Sequence, residues 1–330
     1  MSLQLNEGHA SDGESLDTLE QLEVLLEVVD TFGEDQPLAC QNAHKEAWGL
    51  FDPLLRKYGD SSDITERITR VLRFGIQFFG NTIAALVPSV LETLTLSFDQ
   101  TGFSSCMWIS GKLVQRFGKT KDPAIKASIR IMYDRMSAKT SQLLQVTDPR
   151  TLPDGVYDVT CVAVVLTLQL VVGDFTQLSQ AMLDFTPEIF VASLGLETAF
   201  LNCLVAMRLV HTDIIFAALD FLGVLLRPAK IPKAPGDVAD QASYTLRINE
   251  VFAAHGFQLL NHLLDGMLGN FHEESLANVI FLIRCVAEEW PSQFAGWLPS
   301  LMEALPTSLC SPQLKSKFMN DCARCASNLK

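Results

Sequence analysis

Basic residues are in short supply. Lys and Arg number 25 against 38 Asp and Glu, for a formal net charge of −13 and a pI near 4.9. A surface of that sign repels phosphate backbones at long range, which argues against direct nucleic-acid binding over a wide face, and it attracts basic partners. Acidity also serves solubility, so charge alone does not separate a basic partner from a well-solvated surface. Glycine (19) and proline (14) are too sparse for a low-complexity disordered chain. Residues 1–15 are polar and acidic, without the apolar stretch of a secretory signal. No Asn-x-Ser/Thr acceptor occurs. The eight cysteines, Cys40, Cys106, Cys161, Cys203, Cys285, Cys310, Cys322 and Cys325, fall mostly in apolar helical stretches, where a thiol packs as a small hydrophobe. A reducing, intracellular compartment is expected. The best candidate for a membrane span, Val159 to Gly173, is shorter than the ~20 residues a bilayer demands and lacks a basic flank. A buried core helix is the expectation there, and no membrane partner.

What is present is apolar material, 48% of 330 residues. One compact core stops growing near ~250–300 residues, whereas a solenoid escapes that limit because each repeat packs only on its neighbours. Helical periodicity recurs with little interruption. Residues 1–15 read as a disordered leader. Asp17 then caps a helix carrying Leu19, Leu22, Leu25, Leu26 and Val29 on one face, which Gly33 ends. Further helices are expected over Leu38–Tyr58, Ile64–Phe79, Thr82–Phe98 (with Pro88 kinking or splitting it), Ser104–Phe117 and Pro123–Val146. The pattern continues through Pro153–Val172, Phe175–Asp184, Pro187–Leu194, Leu196–Val210 and Asp213–Leu226. After a proline-rich loop, Arg227 to Gly236, come Asp237–Leu268, Glu273–Trp290, Pro291–Leu305 and Pro312–Asn328. Pro123, Pro187, Pro291 and Pro312 each stand at a helix start, the position proline tolerates best. Period-two alternation is rare.

Roughly fifteen helices joined by short turns pair into about seven or eight units of the ~40–47-residue HEAT/armadillo period. The fold class expected is all-α: a HEAT/armadillo-type α-α superhelical solenoid over residues 16–330. The rival is an irregular helical bundle, which needs several helices apolar all round. Only Val159 to Gly173 has that character.

Catalytic and metal signatures are weak. His255, His262 and Asp265 share a helical face, but no His-Glu-x-x-His pattern supports a metal. Cys322-x-x-Cys325 lacks a second ligand pair and sits mid-helix, away from the βαβ setting of a redox motif. Gly-rich phosphate loops and Gly-x-Ser-x-Gly elbows are absent. The expectation is a protein that binds macromolecules, with no enzyme activity, metal or cofactor.

One stretch stands against the acidic background: Glu66-Arg67-Ile68-Thr69-Arg70-Val71-Leu72-Arg73-Phe74. Arginines three apart drift by about 60° per step, so Arg67, Arg70 and Arg73 share a stripe of about 120°. Ile68, Val71, Leu72 and Gly75 lie opposite, free to face a core. Such a stripe is either a solvated face with internal ion pairs or an anion ladder, since arginine grips phosphate bidentately. Arg67, Arg70 and Arg73 are the candidate cargo-binding residues.

At these residues the chain resembles the C-terminal part of a nuclear transport receptor of the importin-β (karyopherin-β) superfamily, most similar to the transportin-SR / mRNA transport regulator branch. The resemblance rests on four segments, taken in order. They are the Trp48-Gly-Leu-Phe-Asp-Pro-Leu-Leu helix, the arginine helix, Phe103-Ser-Ser-Cys-Met-Trp-Ile-Ser-Gly111-Lys-Leu-Val with the Phe-Gly118 that follows, and Trp297-Leu-Pro-Ser-Leu before Leu305-Pro306. The resemblance implies a HEAT superhelix that carries serine/arginine-rich or other RNA-binding protein cargo into the nucleus and releases it to GTP-bound Ran. It implies that Arg67, Arg70 and Arg73 grip phosphoserines while acidic surface receives the cargo's arginines. Gln77 stands where the family's helix often carries a further basic residue, so a shorter phosphate ladder is expected. The main Ran-binding repeats of the superfamily lie N-terminal to the similar region. Nucleoporins are a further partner class, and shuttling between nucleus and cytoplasm is the implied localisation. The alternative is a HEAT scaffold for a cytosolic assembly unrelated to transport.

Overall fold

The computed structural model describes residues 13, 17–24, 43–146, 159–209, 211–231, 241–308 and 310–328. Every regular element among them is helical. Residues 17–24 are helical, with Leu19 buried and Asp17 exposed at their start. The expected leader lies outside the described residues apart from Gly13, and so does the end expected at Gly33.

The chain then runs through α1 (Ala43–Tyr58), α2 (Ser62–Phe79), a 3-10 segment (Gly80–Leu86), α3 (Val87–Thr101), α4 (Ser105–Phe117) and α5 (Pro123–Val146). It continues with α6 (Val159–Phe185), α7 (Pro187–Ala192), α8 (Gly195–Ala206) and α9 (Thr212–Leu225). After a short 3-10 turn, Pro228–Lys230, come α10 (Gln241–Asp265) with a π-helical turn (Gly266–Asn270), α11 (Leu276–Glu289), α12 (Pro291–Ala304) and α13 (Pro312–Asn328).

Proline sets the boundaries as its chemistry requires. Pro88 sits in the first turn of α3 and divides the expected Thr82–Phe98 helix into a 3-10 segment and an α-helix. Two left-handed glycines close turns that a Cβ would strain: Gly80 (φ 52°) after α2 and Gly102 (φ 74°) after α3.

Two expectations about α6 are corrected. The break expected between Val172 and Phe175 is absent, and one helix runs from Val159 to Phe185. Val171, Val172, Phe175 and Leu178 keep the buried period across Gly173-Asp174, and a helical glycine costs only ~1 kcal/mol, less than that burial returns. Nor is the helix buried all round, because Leu166 and Leu170 are exposed.

The chain divides into two compact units, Met1–Thr198 and Ala199–Lys330. In the first, α1 packs on α3 and α3 on α5, while α2 packs on α4 and α4 on α6. Successive helices thus form hairpins whose first members make one row and whose second members make the other. The core lies between the rows, with Ile68, Val71, Leu91, Leu94, Met107, Ile109, Leu113, Ile129 and Leu178 all buried. Polar pins tie the first row together. Trp48 Nε1 donates to Ser89 Oγ at 3.3 Å, and Thr93 Oγ1 donates to Asp52 at 2.6 Å. Tyr133 is fully buried, stacked on Phe175 at 5.9 Å, and its hydroxyl sits 3.0 Å from Ser179 Oγ.

In the second unit α9 packs on α11, and α10 contacts both α11 and α12. Trp290 stacks on Phe252 at 3.9 Å and donates from Nε1 to Asn249 at 2.8 Å. Arg227 lies over Phe281, 4.9 Å from the ring centre. This two-row architecture is an all-α, HEAT-type solenoid.

Tyr133 tests the core of the first unit. Tyr133→Ala is expected to destabilise by about 3–5 kcal/mol through the cavity it leaves. Tyr133→Phe is expected to destabilise by only about 1 kcal/mol, for the lost hydrogen bond. Urea denaturation followed by circular dichroism reads the difference, and equal losses for the two variants would show that the ring does not bear the packing.

Candidate functional site

α2 is amphipathic, and burial of one face decides where the other points. Ile64, Ile68, Val71, Leu72 and Ile76 are buried, with Ile68 and Val71 at zero exposure. The arginine stripe is thereby turned outward, as its spacing implies. The three guanidinium groups meet different surroundings.

Arg67 reaches the 17–24 helical segment, where its Nη1 donates to Glu23 at 2.7 Å; the two side chains are 28% and 19% exposed. That hydrogen bond, helped by Glu20 and Glu66 nearby and opposed by partial burial, raises the Arg67 pKa. Arg70 donates to Glu66 at 2.5 Å in a pair more than half exposed on both sides. The order Glu-then-Arg, four apart, is the favourable one on a helix, yet such a pair is worth only about 0.3–0.5 kcal/mol. Arg73 is exposed and lies 5.8 Å from the ring centres of both Phe74 and Trp108. Among the described residues no carboxylate pairs with it. The stripe is therefore graded. Arg67 is held by the chain itself, Arg70 is loosely held, and Arg73 rests against aromatic rings.

A groove of about 590 Å³ opens beside this stripe. Ser62, Glu66 and Arg70 of α2 line one wall, Phe103, Ser104 and Trp108 at the start of α4 a second, and Leu170, Val171 and Asp174 of α6 a third. Leu170 is 62% exposed although apolar. Burial pushes the Asp174 carboxyl up from 3.8 to about 6, against the pull of a hydrogen bond from Ser104.

Sequence reasoning found the arginines and missed this groove. Phe103 and Trp108 lay within a segment quoted for its resemblance, and Asp174 was taken as the edge of an apolar stretch. Only the α4–α6 packing brings them together, and short-range periodicity carries no signal for that.

Elsewhere the described residues hold no group of three His, Cys, Asp or Glu able to bind a metal. His255 packs against Phe200, and Asp265 accepts from Asn261 at 3.0 Å. Cys106, Cys203 and Cys285 are buried, and burial pushes the Cys106 thiol up to about 11, away from the reactive thiolate. Cys322 and Cys325 fall within α13. The arrangement can therefore do ionic and aromatic recognition on an exposed helix face.

The fold defines a class, the all-α solenoid of HEAT type. Residues 37–144, which include the arginine helix, match the family model described as the transportin-3/importin-13 fourth TPR domain. The chain is 26% identical over 260 residues to the mRNA transport regulator MTR10 of Saccharomyces cerevisiae, covering 73% of this chain and 25% of that protein. It is 21% identical over 294 residues to an uncharacterised protein of Schizosaccharomyces pombe, covering 87% of this chain and 29% of that one. Its fold matches a solved structure of importin-13 in the cytosolic state with a TM-score of 0.69 at 15% identity, over 99% of this chain and 34% of the other. The match to the family model covers about a third of the chain, and the chain spans about a quarter to a third of the length of these relatives.

The raised Asp174 pKa makes a stability prediction. A carboxyl whose folded pKa exceeds its unfolded value stabilises the fold below about pH 4, and that contribution is lost as pH rises through about 6. Asp174→Asn is therefore expected to be more stable than the parent at pH 7, by about 1–3 kcal/mol, with the difference vanishing below pH 4. Denaturant titrations across that range read it. A difference independent of pH would contradict the buried-carboxyl account.

Proposed function

We propose that residues 16–330 form a cargo-binding segment of a nuclear import receptor of the transportin-SR / mRNA transport regulator branch. The cargo is a serine/arginine-rich or other RNA-binding protein, and the complete receptor shuttles between cytoplasm and nucleus, releasing cargo to GTP-bound Ran and passing the pore on nucleoporins. The match of residues 37–144 to a transportin-3/importin-13 domain model supports a binding role over a catalytic one.

The observation that carries this reading is the exposed arginine stripe on α2, inside the segment matched by the family model. Phosphoserine supplies nearly two negative charges and three strong acceptors, which arginine meets in a planar, bidentate fashion. A dianion readily displaces Glu66 from Arg70, because the exposed pair is worth only about 0.3–0.5 kcal/mol. Arg73 needs only to leave the faces of Phe74 and Trp108. Arg67 must first give up the half-buried Glu23, so it ranks third of the three. The net charge of −13 suits the arginines of the same cargo.

Replacing Arg67, Arg70 and Arg73 by Ala is expected to weaken binding of a phosphorylated Arg-Ser repeat peptide by tenfold or more, each 1.4 kcal/mol being a factor of ~10. The helical circular dichroism spectrum should not change. Arg70→Ala with Arg73→Ala should account for most of the loss, and raising salt from about 0.05 to 0.5 M should weaken the parent complex. Equal affinity of parent and triple variant would remove the site. For the wider role, capture of GTP-loaded Ran by the complete receptor separates a transport receptor from a cytosolic scaffold, which would not bind it.

A further inference from the structure

Charge is distributed unevenly along the chain. Residues 112–139 hold eight of the 25 Lys and Arg but only two of the 38 Asp and Glu, which leaves that stretch at +6 and the remaining residues at −19. Half of this local excess falls on α5, which carries four basic side chains and one acid, Asp134.

The helix sorts these side chains at about 100° per residue. Ile125, Ile129, Met132, Tyr133, Met136 and Thr140 are buried on one face. Ala127, Ile131 and Ala138 form an exposed ridge on the opposite face, with Ile131 at 59%. Lys126 and Arg130 border the ridge on one side, Arg135 and Lys139 on the other, the two pairs about 180° apart around the helix. On the first flank Lys126 donates to Glu188 of α7 at 2.7 Å, and on the second Arg135 pairs with Asp99 of α3. Each flank keeps one unanswered cation, because among the described residues no carboxylate pairs with Arg130 or Lys139. Asp134 is engaged by Ser193, whose Oγ donates to it at 2.5 Å. That bond brings the Ser193-Leu194 turn alongside the ridge, and Leu194 is 81% exposed. Next to Lys139, a hollow of about 270 Å³ opens between α3 and α5, lined also by Asp99, Arg135, Ala138 and Gln142.

These features limit what can sit there. Affinity for nucleic acid grows with the number of phosphates neutralised, and this face offers two unpaired cations on a chain of net charge −13. A bilayer surface asks for a broad apolar face, and here one isoleucine and one leucine stand out. A helix with a narrow apolar stripe bordered by carboxylates meets every feature: its stripe covers Ile131 and Leu194, and its acids reach Arg130 on one side and the hollow at Lys139 on the other. We infer that the outward face of α5 is a docking surface for an acidic amphipathic helix of a partner protein, with Ile131 beneath its apolar stripe and Arg130 and Lys139 as counter-ions to its carboxylates. The inference does not rest on the cargo reading. α5 belongs to the row of first hairpin members and the arginine stripe of α2 to the other row, so the two faces can be occupied together.

The test uses the 330-residue chain and two probe peptides of about 20 residues, long enough to form a helix. One has a leucine stripe bordered by glutamates, the other the same stripe bordered by glutamines, and fluorescence anisotropy reads their affinities. The glutamate peptide is expected to bind at least tenfold more tightly than the glutamine peptide. Arg130→Gln with Lys139→Gln is expected to weaken the glutamate peptide about tenfold and to leave the glutamine peptide unchanged, whereas Ile131→Ser should weaken both. Neither Arg130 nor Lys139 is buried, so circular dichroism should show the parent fold in that variant. The Arg70→Ala, Arg73→Ala variant should bind the glutamate peptide as the parent does; a loss there would move the peptide to α2 and overturn the assignment while leaving the cargo reading standing. No binding of the glutamate peptide to the parent, equal binding of the two peptides, or no effect of the Arg130, Lys139 variant would overturn the docking surface. Phosphatidylserine-containing vesicles or a single-stranded RNA bound more tightly than the glutamate peptide, through the same two residues, would overturn the partner class.

Discussion

The cargo site proposed for this chain depends on the burial of one face of α2. Ile64, Ile68, Val71 and Leu72 lock that helix against α1 and α4, and no rotation can expose them without a loss of several kcal/mol. The residues three apart on the other side are then fixed in solvent. A flexible loop bearing three arginines would have to be ordered on binding; a helix pinned by its core has met that entropic requirement during folding. The same logic holds along the row. α4 buries Met107, Ile109, Leu113 and Val114, and α6 buries Val171, Phe175 and Leu178, so the groove walls are carried on helices anchored in the core.

The fold was largely legible because helical hairpins are written locally. Proline at a helix start placed the first residues of α5, α12 and α13, since that effect acts over one turn. Pro88 announced a division of its helix for the same reason. The errors fell where tertiary packing outweighed local propensity. Gly173 read as a stop, yet the helix continued because its buried period ran on through Phe175 and Leu178. Val159 to Gly173 read as apolar all round, although Leu166 and Leu170 face outward beside a groove.

The candidate site was legible only in part. A three-residue arginine spacing is a one-dimensional pattern, and its outward direction followed from the apolar residues between. Glu66, in the same helix, was legible as a partner of the stripe, but the distant partners were not, because Glu23 comes from 44 residues earlier and Trp108 from 35 residues later than the arginines they meet. Position in the chain says nothing about such pairings. They turn a uniform stripe into a graded one, and they bring forward Arg70 and Arg73 over Arg67. The groove likewise takes form only in three dimensions, where Asp174 and Glu66 line it together with Phe103 and Trp108.

The match of residues 37–144 to the model of a transportin-3/importin-13 domain gives this face its context. The most direct measurement is a crystal structure of the chain with a phosphorylated Arg-Ser repeat peptide bound. The account predicts phosphate oxygens within hydrogen-bonding distance of Arg70 and Arg73. A peptide seated elsewhere, with Arg70 still on Glu66 and Arg73 still against Trp108, would contradict it.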